Sequence, residues 1–217
     1  MKDCTELVFI LDRSGSMHGL EADTIGGFNS LLEKQRAEGC AVLVSTVMFN
    51  EESKVIHDRC DIGTVPPLTE TDYEPSGLTA LVDAIGSAVK HIRNVHRYAR
   101  PEDVPARTLF VITTDGMENA SHHFTAGEVR TLIEEQKKAG WEFLFLGANI
   151  DAVETARGFG ISEDRAVDFV ADGMGMKENF RAVEMACLQF ERYSVLSDDW
   201  KKDIADAHRK RSERKSW

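Results

Sequence analysis

The chain has 217 residues, of which 42% are hydrophobic and 29% are charged, with only five prolines and sixteen glycines. This composition suits a single globular domain and excludes disordered, collagen-like and low-complexity chains. The formal net charge is −11 at pH 7, so we expect the chain to repel nucleic acid and anionic membranes and to favour cations or basic partners.

The sequence contains no apolar run near the roughly 20 residues that a membrane-spanning helix needs. Its first residues lack the long apolar stretch and the small-residue cleavage site of a signal peptide. We therefore expect a cytoplasmic protein that has no membrane partner. The four cysteines show no CxxC spacing, and in that compartment they are expected to be reduced and packed in the core.

Four apolar segments predict strands that are covered on both faces. They are Leu7–Leu11, Ala41–Phe49, Thr108–Thr113 and Glu142–Leu146. Apolar residues at helical spacing lie between them, at 25–32 and 78–92, and again at 180–190. Such alternation is typical of a doubly wound, Rossmann-like α/β fold, a three-layer sandwich with a mainly parallel central sheet.

One connection is too short for a parallel crossover. Only Asn50–Ser53 separates the second strand from a candidate third strand at Lys54–Cys60, whereas a crossover needs about a dozen residues. The third strand is therefore predicted to be an antiparallel edge strand that follows a hairpin. The first strand is expected near the centre of the sheet, and ligands of such sheets bind beyond the carboxyl ends of the strands.

Local signals mark several helix ends. Thr125 with Glu128 and Asp151 with Glu154 have the spacing of capping boxes. Gly140 is expected to end the helix that Thr125 begins. These signals agree with the strand and helix order that the apolar pattern predicts.

Glycines occur at two places near predicted helices, one inside the first helical pattern and one just before the last. Gly26 and Gly27 fall inside the first pattern and predict close packing of that helix against the sheet. Met174 and Met176 are flanked by glycines, which favours a mobile connector before the last long helix.

Basic and acidic residues are unevenly distributed along the chain. Residues 200–217 hold seven Lys or Arg against three Asp or Glu, which leaves 1–199 with a net charge of −15. We expect residues 1–196 to form one domain and 197–217 a short helical basic tail. A solvated helix end explains the tail best, and contact with nucleic acid or an acidic partner is the alternative.

Carboxylates and hydroxyls gather where two predicted strands end. Asp12, Ser14 and Ser16 follow the first strand, with a glycine between the serines that allows a tight turn. Asp115 follows the fourth predicted strand, and Thr79 is expected in the first turn of the second helix. The fold brings these positions to one sheet edge, and a set of oxygen ligands suits a hard cation such as magnesium.

In this pattern the sequence resembles von Willebrand factor A (vWA) domains that carry a metal-ion-dependent adhesion site (MIDAS). The resemblance covers roughly residues 5–170, and its motif is Asp-x-Ser-x-Ser, a threonine before a long helix, and an aspartate in a Thr-Asp-Gly-like turn. The stretch 115–121 is most similar to small stand-alone bacterial members, some of which accompany tellurite-resistance and stress-response systems.

The resemblance implies a magnesium ion that Ser14 and Ser16 hold directly. It implies that Asp12, Thr79 and Asp115 coordinate the ion directly or through water, and that one position stays open for an Asp or Glu of a partner protein. The sequence does not distinguish magnesium from manganese.

The expected function is therefore that of a protein-binding module without catalytic activity. One alternative is a magnesium-dependent phosphohydrolase with Asp12 as its nucleophile, although the related phosphatases carry a second acid where this chain has Ser14. Another alternative is a regulatory subunit of a larger ATPase or stress-response complex. No Gly-x-x-x-x-Gly-Lys-Ser/Thr motif supports nucleotide hydrolysis.

Further loop residues are candidates for a rim that selects the partner. The primary candidates are Met17, His18, Met117, Glu118 and Asn119. His122, His123, Asn149 and Asp151 lie in the same loops and are secondary candidates. A plain loop or capping role is the alternative for each of them, and the adjacent histidines do not predict a zinc site.

Overall fold

The computed structural model describes residues 3–215, in which six strands form one sheet. The strands are β1 (Thr5–Asp12), β2 (Val42–Phe49), β3 (Ser53–Asp61), β4 (Arg107–Thr114), β5 (Glu142–Gly147) and β6 (Ala166–Asp168). The helices are α1 (Glu21–Ala37), α2 (Leu81–Tyr98), α3 (Ala126–Lys138), α4 (Ala152–Gly158), α5 (Gly173–Tyr193) and α6 (Lys202–Lys215).

The strand order is β3-β2-β1-β4-β5-β6, with β1 inside the sheet. β1 pairs in parallel with both β2 and β4, so that Phe9 lies opposite Thr46 on one side and Val111 on the other. β3 pairs with β2 in the antiparallel sense. The predicted doubly wound sheet with one antiparallel edge strand is therefore confirmed. The sequence reasoning missed β6, because three residues are too few to show a periodic pattern.

Each face of the sheet is covered by its own set of helices, which explains the continuous apolar runs. Phe9 of β1 points into the core formed with α1 and α5, whereas Val8 and Ile10 point into the core formed with α2, α3 and α4. All eight residues of β1 are buried. A strand that is buried on both faces cannot alternate apolar with polar residues.

Several predicted helix boundaries need correction. Leu78 does not belong to the second helix: it precedes α2, and 51% of it is exposed. Thr79 is not in the first turn either, because Ala80 is the N-cap of α2. Met174 and Met176 are not a connector but lie in the first turn of α5, with Met176 fully buried in the core.

The capping box predicted for Thr125 and Glu128 is present, whereas for Asp151 and Glu154 the structure shows one half of the predicted box. Thr125 and Glu128 form a reciprocal capping box at α3, and Asp151 accepts a hydrogen bond from the backbone N–H of Glu154 at α4. Gly140 follows the end of α3 with φ +88°, a backbone conformation that glycine adopts without steric strain.

The predicted basic tail packs on the rest of the molecule. Trp200 and Ile204 are 2% and 1% exposed and belong to the same core as α1 and α5. The indole N–H of Trp200 donates to the backbone oxygen of Asp164 at 3.1 Å. Residues 216 and 217, the end of the predicted tail, lie outside the described residues. Within the part of the chain that the structure describes, no helix has the length and apolarity to cross a bilayer.

The two neighbouring glycines of α1 give a matched test of its packing against α5. A Cβ on Gly27 would lie 2.2 Å from Cδ2 of Phe180, whereas a Cβ on Gly26 would meet open space. We expect Gly27→Ala to destabilise the fold by about 1–3 kcal/mol through overpacking. Gly26→Ala should stabilise it by about 0.5–1 kcal/mol through helix propensity. Urea unfolding of both variants measures the difference, and equal midpoints would contradict this close packing.

A buried carboxyl on α5 makes stability depend on pH. Burial raises the pKa of Glu191 to about 7, and the side chain is 7% exposed. Its contribution to stability is present below about pH 4.5 and is lost as the pH rises through about 7, because the ionised form is unfavourable inside the protein.

We therefore expect Glu191→Gln to raise the urea midpoint at about pH 8 and to leave it nearly unchanged at about pH 4. The gain at the higher pH should be up to about 3 kcal/mol, because one pKa unit corresponds to about 1.4 kcal/mol. An equal effect at both pH values would show that Glu191 is not the titrating group.

Candidate metal centre

The candidate site lies at the carboxyl ends of two neighbouring parallel strands. Asp12 is the last residue of β1, and Thr114 is the last residue of β4. These strands pair in register, with Leu11 opposite Thr113. The two predicted acids, Asp12 and Asp115, are therefore brought together although about a hundred residues separate them in the chain.

The hydroxyl side chains predicted for this site cluster around Asp115. Ser16 Oγ donates to Asp115 Oδ1 at 2.5 Å, and the Oγ atoms of Ser14 and Ser16 are 3.1 Å apart. A Cβ on Gly116 would lie 3.2 Å from Thr79 Oγ1 and 3.5 Å from Ser16 Oγ. Thr79 thus reaches the cluster from the loop before α2, and all the groups that face each other here are oxygens.

Asp12 is held rigidly at the base of the cluster. Its Oδ1 accepts from the backbone N–H of Ser14 at 2.7 Å, and its Oδ2 accepts from Thr114 Oγ1 at 2.6 Å. The Tyr73 hydroxyl donates to the Asp12 backbone oxygen at 2.5 Å. Sequence reasoning missed Thr114 and Tyr73 as supporting residues. The position of Thr114 directly before Asp115 was a usable signal, whereas Tyr73 lies in a segment without a recognisable pattern.

The two carboxyls are in an unfavourable environment for their charges. Asp12 is 1% and Asp115 is 2% exposed. Burial raises the pKa of both, and the charge of Asp12 raises that of Asp115 further. The buried Oδ2 of Asp115 has no hydrogen-bond partner among the described residues. A bound cation would satisfy this oxygen and balance both charges, so the side chains present fit a divalent metal.

Three loops next to the hydroxyl cluster are joined by hydrogen bonds that involve backbone groups. The backbone oxygen of Asn50, in the β2–β3 hairpin, accepts from Ala80 N–H at 2.7 Å, and the Asn50 side-chain amide donates to the Ser76 oxygen at 3.0 Å. Gly15 N–H donates to the Gly77 oxygen at 3.0 Å. Gly77 has φ +71°, which favours glycine at this crossing. The loops that carry Ser14, Ser16 and Thr79 are thus fixed relative to one another.

Two predicted rim residues fasten the Asp115 loop to α2 and to the loop before it. Glu118 Oε2 accepts from Val82 N–H at 2.8 Å, at the N-terminus of α2 where a carboxylate is favoured. Asn119 Oδ1 accepts from Thr79 N–H at 2.8 Å, and the Asn119 N–H donates to the Thr79 oxygen at 3.0 Å. Both side chains hold the loop in place beside the cluster. Asp83 does the same for the following segment, since its carboxylate accepts from the backbone N–H groups of 122–124.

The other primary rim candidates divide between core and surface. Met17 is not on the rim, because its side chain is 1% exposed and belongs to the core with α1. The turn that places Ser16 outward turns Met17 inward. His18 is exposed, and its Nδ1 lies 3.3 Å from Glu21 Oε1. Met117 is 73% exposed and follows Gly116 directly.

The secondary rim candidates are also placed by the structure. Asn149 has φ +56°, and its amide donates to the Asp115 backbone oxygen at 3.4 Å. Asp151 caps α4, and the backbone N–H groups of His122 and His123 bond to Asp83. Among the residues described, no three His, Cys, Asp or Glu side chains are grouped so that they could hold a metal ion. The centre described here has two carboxylates and completes its set with hydroxyls.

Solved structures with the same architecture share little sequence with this chain. The vWF domain of the type V pili tip protein Mfa5 from Porphyromonas gingivalis is 10% identical, with a TM-score of 0.63 over 91% of this chain and 99% of that one. The minor pilin PilB from Streptococcus sanguinis is 13% identical, with a TM-score of 0.62 over 91% and 64%. This chain has a vWA fold.

Another similar structure is proximal thread matrix protein 1 from the mussel byssus, solved with a zinc-occupied MIDAS motif. It is 15% identical, with a TM-score of 0.57 over 84% of this chain and 46% of that one. The chain spans about half the length of this protein and just under two thirds of PilB. No protein-family model matches the chain, and no curated protein does. Likeness at this identity concerns the fold, so function is argued from the site.

Because Gly116 lies close to the Thr79 hydroxyl, a substitution at Gly116 tests whether Thr79 contributes to metal binding. We expect Gly116→Ala to displace the Thr79 hydroxyl and to weaken magnesium affinity about tenfold while the fold is retained. Gly127→Ala is the matched control, because a Cβ there meets open space in α3. Isothermal titration calorimetry measures both affinities. Wild-type affinity in Gly116→Ala would exclude a role for Thr79 in metal binding.

Proposed function

We propose that this protein is a metal-dependent protein-binding module that recognises an acidic side chain of its partner. Ser14 and Ser16 would hold a divalent cation directly. Asp12, Thr79 and Asp115 would coordinate it directly or through water. The observation that carries the proposal is the buried Asp115 Oδ2, which has no hydrogen-bond partner among the residues that the structure describes and lies in a cluster of oxygens.

The chemistry of the donor set favours a hard cation and leaves room for a further ligand. Hydroxyl and carboxylate oxygens suit magnesium, and manganese or zinc would compete for the same groups. Asp12 and Asp115 together only balance the charge of a divalent ion, so the ion still attracts another carboxylate. Ser16 is exposed, which means that the cluster opens to solvent on its side.

The similar structures support this proposal. One of them is described with a zinc-occupied MIDAS motif, and another is a vWF domain of a pili tip protein. They support a divalent cation and an adhesive role. The cytoplasmic location is part of our proposal, for which the support is that all four cysteines are free. The stress-response context stays a prediction.

The enzyme alternative receives little support from the position of Asp12. A carboxylate that attacks a phosphate ester needs an oxygen that the ester can reach. Both oxygens of Asp12 accept short hydrogen bonds, and the residue is 1% exposed. A regulatory subunit of a larger complex differs from our proposal only in the identity of the partner.

Magnesium binding is the first test of the proposal. We expect Ser14→Ala and Asp115→Asn to abolish the magnesium isotherm and the magnesium-dependent rise in Tm that the wild type shows. Ser30→Ala, an exposed hydroxyl on α1, is the matched control and should bind as the wild type does. Wild-type affinity in both site variants would refute the metal centre.

Partner capture tests the second half of the proposal. The immobilised chain should retain a protein from host lysate in magnesium and lose it in EDTA, and Asp115→Asn should not retain it. Replacing the partner's critical Asp or Glu with Asn or Gln should remove most of the affinity, because the ion attracts a charged oxygen. Capture that is indifferent to EDTA and to Asp115→Asn would place the interface elsewhere.

A further inference from the structure

Two exposed apolar side chains stand beside the metal centre on adjacent loops. Leu78 directly precedes Thr79 and is 51% exposed, and Met117 directly follows Gly116 and is 73% exposed. The two loops are joined by the hydrogen bonds between Thr79 and Asn119. Both residues therefore lie next to the hydroxyl cluster, one on each of two joined loops.

This exposure is maintained by specific contacts of the loops. Glu51 Oε1 accepts from the Leu78 N–H at 3.2 Å, which fixes the backbone at Leu78. Glu118 fastens the backbone next to Met117 onto the N-terminus of α2. The loops are thus held while their apolar side chains remain in water. Methionine is enriched in protein interfaces, and an apolar contact beside a buried polar anchor is a common arrangement there.

An acidic cleft flanks the same centre on its α1 side. It is a shallow space of about 390 Å³ lined by His18, Glu21, Glu70, Tyr73 and Glu74, with Ala22 and Pro75 completing its wall. Tyr73 connects this cleft to the metal centre through its hydrogen bond to the Asp12 backbone. Glu70 and Glu74 are exposed.

The charge of the cleft is maintained at neutral pH. Hydrogen bonds from the backbone N–H groups of Glu21 itself and of Gly19 hold the pKa of Glu21 below its usual range. The three glutamates of the cleft therefore repel a run of acids on a partner and attract a base. A partner that places one acid on the metal must avoid a second acid on this side.

We infer that the partner segment presents a single Asp or Glu between a bulky apolar residue, which packs on Leu78 and Met117, and a Lys or Arg, which faces Glu70 and Glu74. This inference rests on the proposed function and names the partner's chemistry. The apolar residue contributes affinity, because it removes two exposed side chains from water. The basic residue contributes selectivity against acidic segments.

Short peptides with capped ends test this recognition pattern. The probes carry a central Glu flanked by Leu and Lys, by Leu and Glu, or by Ser and Ser, each synthesised in both chain directions. Fluorescence polarisation with the full chain in magnesium should rank Leu-Glu-Lys first, about tenfold tighter than Ser-Glu-Ser. Leu-Glu-Glu should be weaker than Leu-Glu-Lys by about threefold or more at low salt.

Variants of the two flanks separate their contributions. Leu78→Ser combined with Met117→Ser should remove the preference for Leu, and Glu70→Lys combined with Glu74→Lys should reverse the preference for Lys over Glu. Tyr98→Ser is the apolar control, since this residue is 79% exposed at the end of α2 away from the centre. Glu33→Lys is the charge control, because it is exposed about 18 Å along α1 from Glu21.

The outcomes distinguish this inference from the function on which it rests. Binding that needs magnesium and the central Glu but ignores both flanks would overturn the inference and leave the proposed function intact. Binding that persists in EDTA or in Asp115→Asn would overturn both. Failure of every peptide to bind in magnesium would also overturn both. Loss of flank preference in the Tyr98 or Glu33 controls would also overturn the inference, because the effect would then not be local.

Discussion

The structure depends on the close approach of two buried carboxylates, Asp12 and Asp115, at the ends of adjacent parallel strands. Each loses solvation there, which raises the pKa of both, and the charge of Asp12 raises the pKa of Asp115 further. The molecule offsets part of this cost with hydrogen bonds from Ser14, Ser16 and Thr114. The remaining oxygen, Asp115 Oδ2, has no such compensation among the described residues. These features support the cation that we propose for this site, and the surrounding loops hold its side chains in place.

Support for this centre comes largely from backbone groups and from residues that are not ligands themselves. Asn50 lies in the hairpin that leads to the edge strand, yet it forms two hydrogen bonds with the loop that carries Thr79. Glu118 attaches the Asp115 loop to α2, and Asn119 attaches it to the loop before α2. A candidate ligand cluster at a loop-rich sheet edge can thus be rigid without secondary structure of its own, because preorganised oxygens avoid the entropic cost of ordering on binding.

The sequence was sufficient for the architecture and for the positions of the two acids, because both rest on strand ends. Continuous apolar runs identify strands that are covered on both faces, and a carboxylate directly after such a strand must lie at the carboxyl edge. The orientation of loop side chains was harder to predict. The inward turn of Met17 follows from the local 3₁₀ turn at 15–17, which leaves no periodic signal. Thr79 reaches the centre from a loop, where helix periodicity gave no guidance.

The packing of Trp200 and Ile204 into the core with α1 and α5 bears on how the chain matures. During synthesis the central strand β1 and its neighbour β2 leave the ribosome long before the segment that closes their core face. Until that segment emerges, the apolar side chains of α1 and β1 on this face lack part of their cover. This half of the interior can therefore close completely only after residues 200–204 have emerged, and its apolar side chains are open to association until then.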